Sequence, residues 1–200
     1  MKPVILNIKG TSGSGKTTLA RKILSYPHEE IKGYKKLRNS VKEVVDAYKV
    51  DMSQEGIELP VYVIGSYNNT CGGCDTINTQ EEIVERVKKY YPSGHILIEG
   101  LLLSGTGKNG YVPRELSKTG ALVIGWLDTP LDVCIERVKA RRLEAGNNKP
   151  FDTTCTTRTY KSSYSSSLAL HEQKMAKVIT LPYQDAFPRV LKVFANQYPT

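Results

Sequence analysis

The chain has 200 residues, with 28 Lys and Arg against 20 Asp and Glu, a net charge of +8 and a pI near 9.2. Its hydrophobic content of 40% supports a packed core, and no run approaches the ~20 apolar residues of a membrane span. The start of the chain lacks signal-peptide architecture, and four cysteines do not make a disulfide scaffold, so secretion, membrane insertion and disorder are set aside for a reduced cytosol.

Taken in order, apolar β-rich runs alternate with helical patterns, as in a mostly parallel α/β sheet with helices on both faces. Residues 4–8 predict a buried strand, followed by a glycine-rich turn and a helix with Leu19, Ala20, Ile23 and Leu24 on one side. Two further strands are expected at 42–50 and 60–66. Thr79-Gln80-Glu81-Glu82 forms a capping box, opening a helix that aligns Ile83, Val84, Val87 and Tyr90. Residues 95–100 predict a buried strand carrying Glu99 at its end, residues 104–110 a Gly/Ser/Lys loop, and residues 121–127 another buried strand.

Thr129-Pro130 starts a helix, with Pro130 at its first position and an apolar stripe of Leu131, Cys134, Ile135 and Val138. Residues 145–155 read as an exposed loop. A Ser-rich helix is expected over 156–177, its apolar side formed by Tyr160, Tyr164, Leu168, His171 and Met175, with a last helix over 184–194. No repeat or linker divides the chain, so residues 1–200 read as a single domain. Two stretches are densely basic: Lys32, Lys35, Lys36, Arg38 and Lys42, then Arg137, Lys139, Arg141, Arg142 and Lys149. They suit contact with nucleic acid or polyphosphate metabolites, and equally a solvated face.

One motif carries chemistry. Gly10-Thr11-Ser12-Gly13-Ser14-Gly15-Lys16-Thr17 matches the Walker A pattern G-x-x-x-x-G-K-[ST]. The predicted strand before it and helix after it supply the context the motif requires. Glycines let successive backbone N–H groups converge on phosphate oxygens, and the helix N-terminus adds positive potential. Lys16 is placed to reach the β- and γ-phosphates, and the Thr17 hydroxyl to ligate Mg²⁺. The chain is therefore expected to bind a nucleoside triphosphate, ATP, with magnesium.

The remaining candidates depend on which branch of phosphate-loop proteins applies. Guanine-specific switches carry N-K-x-D; here Asn148-Lys149-Pro150-Phe151 puts Asp152 one residue late, and no D-x-x-G follows. The chain resembles small P-loop kinases in its length, early phosphate loop, strand ending in an acid, and late strand–helix unit. That resemblance implies a P-loop kinase fold with a small lid at about 137–155. Arg137 and Arg141, four apart on one helix face with Arg142 beside them, would serve the transferring phosphoryl group; an exposed basic helix end is the competing reading. Glu99 is placed near the magnesium, against the plainer role of a strand-end carboxylate.

Tyr67-Asn68-Asn69-Thr70-Cys71-Gly72-Gly73-Cys74-Asp75-Thr76-Ile77 is polar, glycine-bearing and follows a strand, where an acceptor loop belongs. Zinc would want a second cysteine pair near Cys71 and Cys74, and Cys134 and Cys155 stand alone. Asp75, freed by two glycines, suits a carboxylate that orients an acceptor hydroxyl, or one that merely caps its loop.

Together the Gly10–Thr17 loop, the segment with Gly72-Gly73-Cys74-Asp75, and Ile98-Glu99-Gly100 resemble the 5-hydroxymethyluracil DNA kinases of phages with hypermodified thymine. The resemblance implies ATP as donor, the hydroxymethyl group of the base within DNA as acceptor, Asp75 as base, and the host cytoplasm as location. The positive charge and 12 tyrosines are compatible with that substrate. Rival readings are a kinase of free nucleotides or another metabolite, a polynucleotide 5′-hydroxyl kinase, and a non-kinase ATPase. A thymidylate-kinase reading lacks its Asp-Arg pair.

Overall fold

The computed structural model describes residues 2–36, 40–69, 72–100, 103 and 110–197, with residues 35 and 36 given by their backbone alone. In chain order the elements are β1 (Ile5–Lys9), α1 (Lys16–Ile23), β2 (His28–Lys36), β3 (Val41–Val50), β4 (Val61–Ile64), α2 (Gln80–Tyr90) and β5 (His95–Glu99). There follow α3 (Tyr111–Ser117), β6 (Leu122–Asp128), α4 (Leu131–Glu144), α5 (Thr154–Glu172), β7 (Lys177–Pro182) and α6 (Ala186–Phe194). Cys71 and the expected loop over 104–110, apart from Gly110, fall outside the described residues.

Among the described residues seven strands form one sheet in the order β2-β3-β4-β5-β1-β6-β7. The run β4-β5-β1-β6-β7 is parallel, while β3 is antiparallel to both β4 and β2. Every residue of β1, β4 and β5 is buried, as expected of strands covered on both faces. Alternation along β1 divides the core. Leu6 and Ile8 join Leu19, Ile23, Val190 and Phe194 beneath α1 and α6. Ile5 joins Ile83, Val87, Ile98, Leu116 and Leu170 beneath α2, α3 and α5.

Several expectations need correction. The strand β2 was not anticipated: His28-Glu29-Glu30-Ile31-Lys32 has no apolar alternation, because it lies at the sheet edge. The expected helix over 156–177 runs instead from Thr154 to Glu172, and Lys177 begins β7, whose Val178-Ile179-Thr180 run suits a strand beside β6. The face of α5 is also reversed. Tyr164 and Leu168 are exposed, while Thr156, Ser163, Ser166, Ser167 and Leu170 are buried.

Buried serines are tolerated because their hydroxyls bond back into the helix, Ser163 to the Tyr160 carbonyl at 2.9 Å and Ser167 to the Ser163 carbonyl at 2.8 Å. From the same helix Tyr160 and Tyr164 meet the Trp126 ring at 6.3 and 4.8 Å between centroids. Pro130 is the N-cap of α4 rather than its first helical residue. In the capping box Thr79 accepts from the Glu82 amide at 3.1 Å, but Glu82 reaches the Asn78 amide at 3.3 Å, not that of Thr79. The short α3 was not anticipated; Gly110 precedes it, and Pro113 stands in its first turn, where its missing N–H costs nothing. Among the described residues no helix is long and apolar enough to cross a membrane.

Candidate active site

In open α/β sheets ligands bind outside the carboxyl ends of the strands, where strand order reverses. Here that point lies at β1, flanked by β5 and β6. The carboxyl end of β1 passes into the glycine-rich loop, that of β5 carries Glu99, and that of β6 leads to Thr129. A cavity of about 600 Å³ opens at this edge, bounded by residues 12–18 of the loop together with Asp75, Glu99, Arg137 and Arg141.

The loop from Gly10 to Gly15 is shaped by its glycines and by distant clamps. Gly13 has φ 82°, and a Cβ there would stand 2.3 Å from the Cys134 carbonyl oxygen. Thr129 Oγ1 donates to the Ser14 carbonyl at 2.7 Å, and Thr11 Oγ1 donates to the Thr156 carbonyl at 3.0 Å. The first intrahelical bond of α1 runs from the Leu19 amide to the Gly15 carbonyl at 2.9 Å, so the amides of residues 15–18 lack helical acceptors and face the cavity's end.

Lys16 is buried, its Nζ donating to the carbonyls of Gly10 and Thr11 at 2.9 and 3.0 Å. Burial pulls its ammonium down, and the carboxylates of Glu99 and Asp75 oppose that pull. Thr17 Oγ1 donates to Glu99 Oε1 at 2.9 Å. Burial in turn pushes the Glu99 carboxyl up, against the stabilising Lys16 ammonium and Thr17 bond. Tyr67 is buried beside Glu99, its hydroxyl pushed up by burial and by that carboxylate, without a well-formed hydrogen bond among the described residues.

Asp75 occupies the one-turn helix Cys74–Thr76 and is exposed at the cavity rim. Its carboxylate packs so near the end of β5 that a Cβ on Gly100 would stand 2.8 Å from Asp75 Oδ1. On the opposite wall Arg137 Nη1 donates to the Gly13 carbonyl at 3.3 Å, and its guanidinium lies 5.9 Å from the Tyr183 ring centre. Arg141 lines the same cavity. Arg142 does not join them: it bonds Asn147 Oδ1 and the Lys149 carbonyl at 3.2 and 3.4 Å and lies over Phe151, closing the turn after α4.

Lys16, Thr17, Asp75, Glu99, Arg137 and Arg141 thus border one cavity, and Arg142 does not. The wall formed by Tyr183, Gln184 and Phe187 was missed. Lys22 Nζ stands 4.3 Å from the Phe187 ring centre there. Nothing local marks those three residues; only the pairing of β7 with β6 brings them to the cavity. Cys74 is buried, and burial pushes its thiol up, while no group of three or more His, Cys, Asp and Glu suited to a metal occurs among the described residues.

No family model matches the chain. It is, however, similar to curated phage proteins. A 5-hmdU DNA kinase of Pseudomonas phage PaMx11 is 35% identical over 151 residues, which cover 74% of this chain and 75% of that protein. The chain belongs to the family of the phage 5-hmdU DNA kinases. A second such kinase, from Pseudomonas phage M6, is 32% identical over 149 residues, covering 68% of this chain and 71% of its own. A third member, from Delftia phage PhiW-14, is 26% identical over 165 residues, covering 76% of this chain and 58% of that longer protein.

Proposed function

We propose that this protein transfers the terminal phosphoryl group of ATP to the hydroxymethyl oxygen of 5-hydroxymethyluracil within DNA. Membership of the family is the observation that carries the reading, and the geometry of the 600 Å³ cavity supports it. Residues 10–17 act as a P-loop: the amides at the start of α1 cradle the phosphates, and Lys16 moves from its loop carbonyls to the transferring group. The ring of Phe187 and the Tyr183–Gln184 pair form the wall for the nucleobase.

The Thr17 hydroxyl and Glu99 carboxylate form an all-oxygen donor set that fits Mg²⁺. That ion supplies charge neutralisation on the phosphates when bound. Arg137 and Arg141 approach from the lid side and stabilise charge developing on the transferred oxygens. Asp75 orients the acceptor hydroxyl. As the oxygen–phosphorus bond forms and the bond to the departing ADP breaks, Asp75 accepts the hydroxyl proton. The soluble phage-encoded enzyme works in the host cytoplasm in this reading.

Labelled ATP offered with hydroxymethyluracil DNA, thymine DNA, 5′-hydroxyl oligonucleotides and free nucleotides tests it. Label should enter hydroxymethyluracil DNA alone, and Lys16→Ala should abolish transfer while circular dichroism stays native. Brisk labelling of a free nucleotide or of the 5′ end, with none on the modified base, refutes the acceptor.

A further inference from the structure

Between residues 32 and 42 the sequence carries five cations and no acid. Its described residues, 32–36 and 40–42, belong to the outer half of the β2–β3 hairpin. Strand β3 pairs with β4 only from Ala47 to Val50, so its first residues run past the carboxyl end of β4. At about 3.4 Å per residue the overhang from Val41 to Ala47 reaches roughly 20 Å. It projects from the same edge of the sheet as the glycine-rich loop.

A bulge sets its direction. The β2–β3 register shifts between Ile31 and Lys32, leaving Asp46 as the extra residue, and such an insertion bends and twists a hairpin. The Asp46 carboxylate is gripped from α2 by Arg86 Nε at 3.0 Å, Lys89 Nζ at 2.9 Å and the Tyr90 hydroxyl at 2.5 Å. Gly33 lies close against that carboxylate, where a Cβ would come within 3.0 Å. The arm is therefore aimed by the fold.

Under the arm lies a second cavity, of about 380 Å³. Three cations, Lys32, Lys42 and Arg86, and two acids, Glu43 and Glu82, line it together with Ser66, Asn68, Asn69 and Asn78. Tyr48 braces the segment that carries Asn68, its hydroxyl donating to Asn68 Oδ1 and accepting from the Tyr67 amide, both at 3.2 Å. The same segment shows Gly72 and Asp75 to the active-site cavity. It is a wall shared by two compartments. Lys32 is paired with Glu30 at 2.7 Å, but both are exposed, so that pair is weak and yields readily to a phosphate. Tyr34 stands 73% exposed on the arm and offers a ring to an unstacked base.

We propose that the β2–β3 hairpin is the arm that holds the acceptor DNA: Lys32 and Lys42 take phosphates of the strand in the second cavity, while the target base crosses the shared wall to Asp75. This rests on DNA being the acceptor. Cations and side-chain amides are the groups that position a nucleic-acid backbone, and they carry no base preference.

The test reads binding without phosphoryl transfer, by fluorescence anisotropy of a labelled single-stranded oligonucleotide across a salt series. Lys32→Gln with Lys42→Gln should weaken binding several-fold and lower the slope of log K against log salt by about 1.4, two phosphate contacts' worth. Tyr34→Ala should weaken binding about fivefold with the slope unchanged. Lys49→Gln, at the hairpin's inner end, should change neither, and the KM for ATP should hold throughout. A wild-type slope in the double-lysine variant, or an equal loss in Lys49→Gln, overturns the arm. A protein that binds DNA through these lysines yet labels no hydroxymethyluracil overturns the proposed acceptor and leaves the arm standing. One that labels it at a KM indifferent to both lysines overturns the arm and leaves the acceptor.

Discussion

Thr17 Oγ1 donates to Glu99 Oε1 across 2.9 Å, tying the first turn of α1 to the carboxyl end of β5. The two groups read as magnesium partners therefore already share one hydrogen bond. Glu99→Gln keeps an oxygen acceptor for Thr17 and removes the charge. Turnover should fall about 10–100-fold and the magnesium requirement should rise, as for losses beside a metal. Initial rates over a magnesium titration check this; an unchanged dependence removes Glu99 from the ion's surroundings.

Asp75 is the exposed carboxylate of the site, lying against Gly100. Asp75→Asn should cut kcat by about 10²–10⁴-fold, the range for a positioned acid–base group. The KM for ATP should barely move. Parallel losses in both constants would place Asp75 in nucleotide binding instead.

The three arginines of α4 should separate by function. Arg137→Ala with Arg141→Ala should lower kcat by about 10²–10³-fold through lost stabilisation of the transferring group. Arg142→Ala should leave kcat intact, because its guanidinium is spent on Asn147 and Lys149. Steady-state kinetics of the variants decides; a kcat loss in Arg142→Ala equal to that of the pair would contradict the division.

His95 gives the fold a pH dependence. Its Nδ1 accepts from the Val4 amide at 3.1 Å, its ring packs against Phe194 at 5.3 Å, and burial draws its pKa from 6.5 down to about 4. The unfolded chain thus takes the proton first as pH falls. The stabilisation is complete above pH 6.5 and is lost progressively towards pH 4, an effect on the order of 3 kcal/mol. Urea melts of the wild type and of His95→Gln between pH 4 and pH 7.5 measure it: the variant should show the shallower decline, and parallel slopes would refute the assignment.

The glycine-rich loop, α1, β5 with Glu99 at its end, and the placing of Arg137 and Arg141 on one helix were legible because each signal is local. A motif, a continuous apolar run or a spacing of four residues suffices there. The turn that carries Asp75 was legible through its glycines. What escaped depends on contacts distant in sequence. Whether the charged stretch 28–36 becomes a strand is decided by β3 alongside it, and the bulge at Asp46 by residues of α2. On α5 the periodicity of Tyr164 and Leu168 pointed to the wrong face, since hydropathy cannot anticipate serines that satisfy their own hydroxyls. Tyr183 and Phe187 reach the cavity only through the pairing of β7.

The clamps on the glycine-rich loop have a consequence for how the protein comes into being. Ser14 is held by a residue 115 positions away and Thr11 by one 145 positions away. The loop is therefore synthesised well before either residue that holds it. Contacts of such separation carry the largest loop-closure cost and form late. A nascent chain halted before α5 has the whole loop but only part of its support, so the loop takes its final shape after α5 is made and not before.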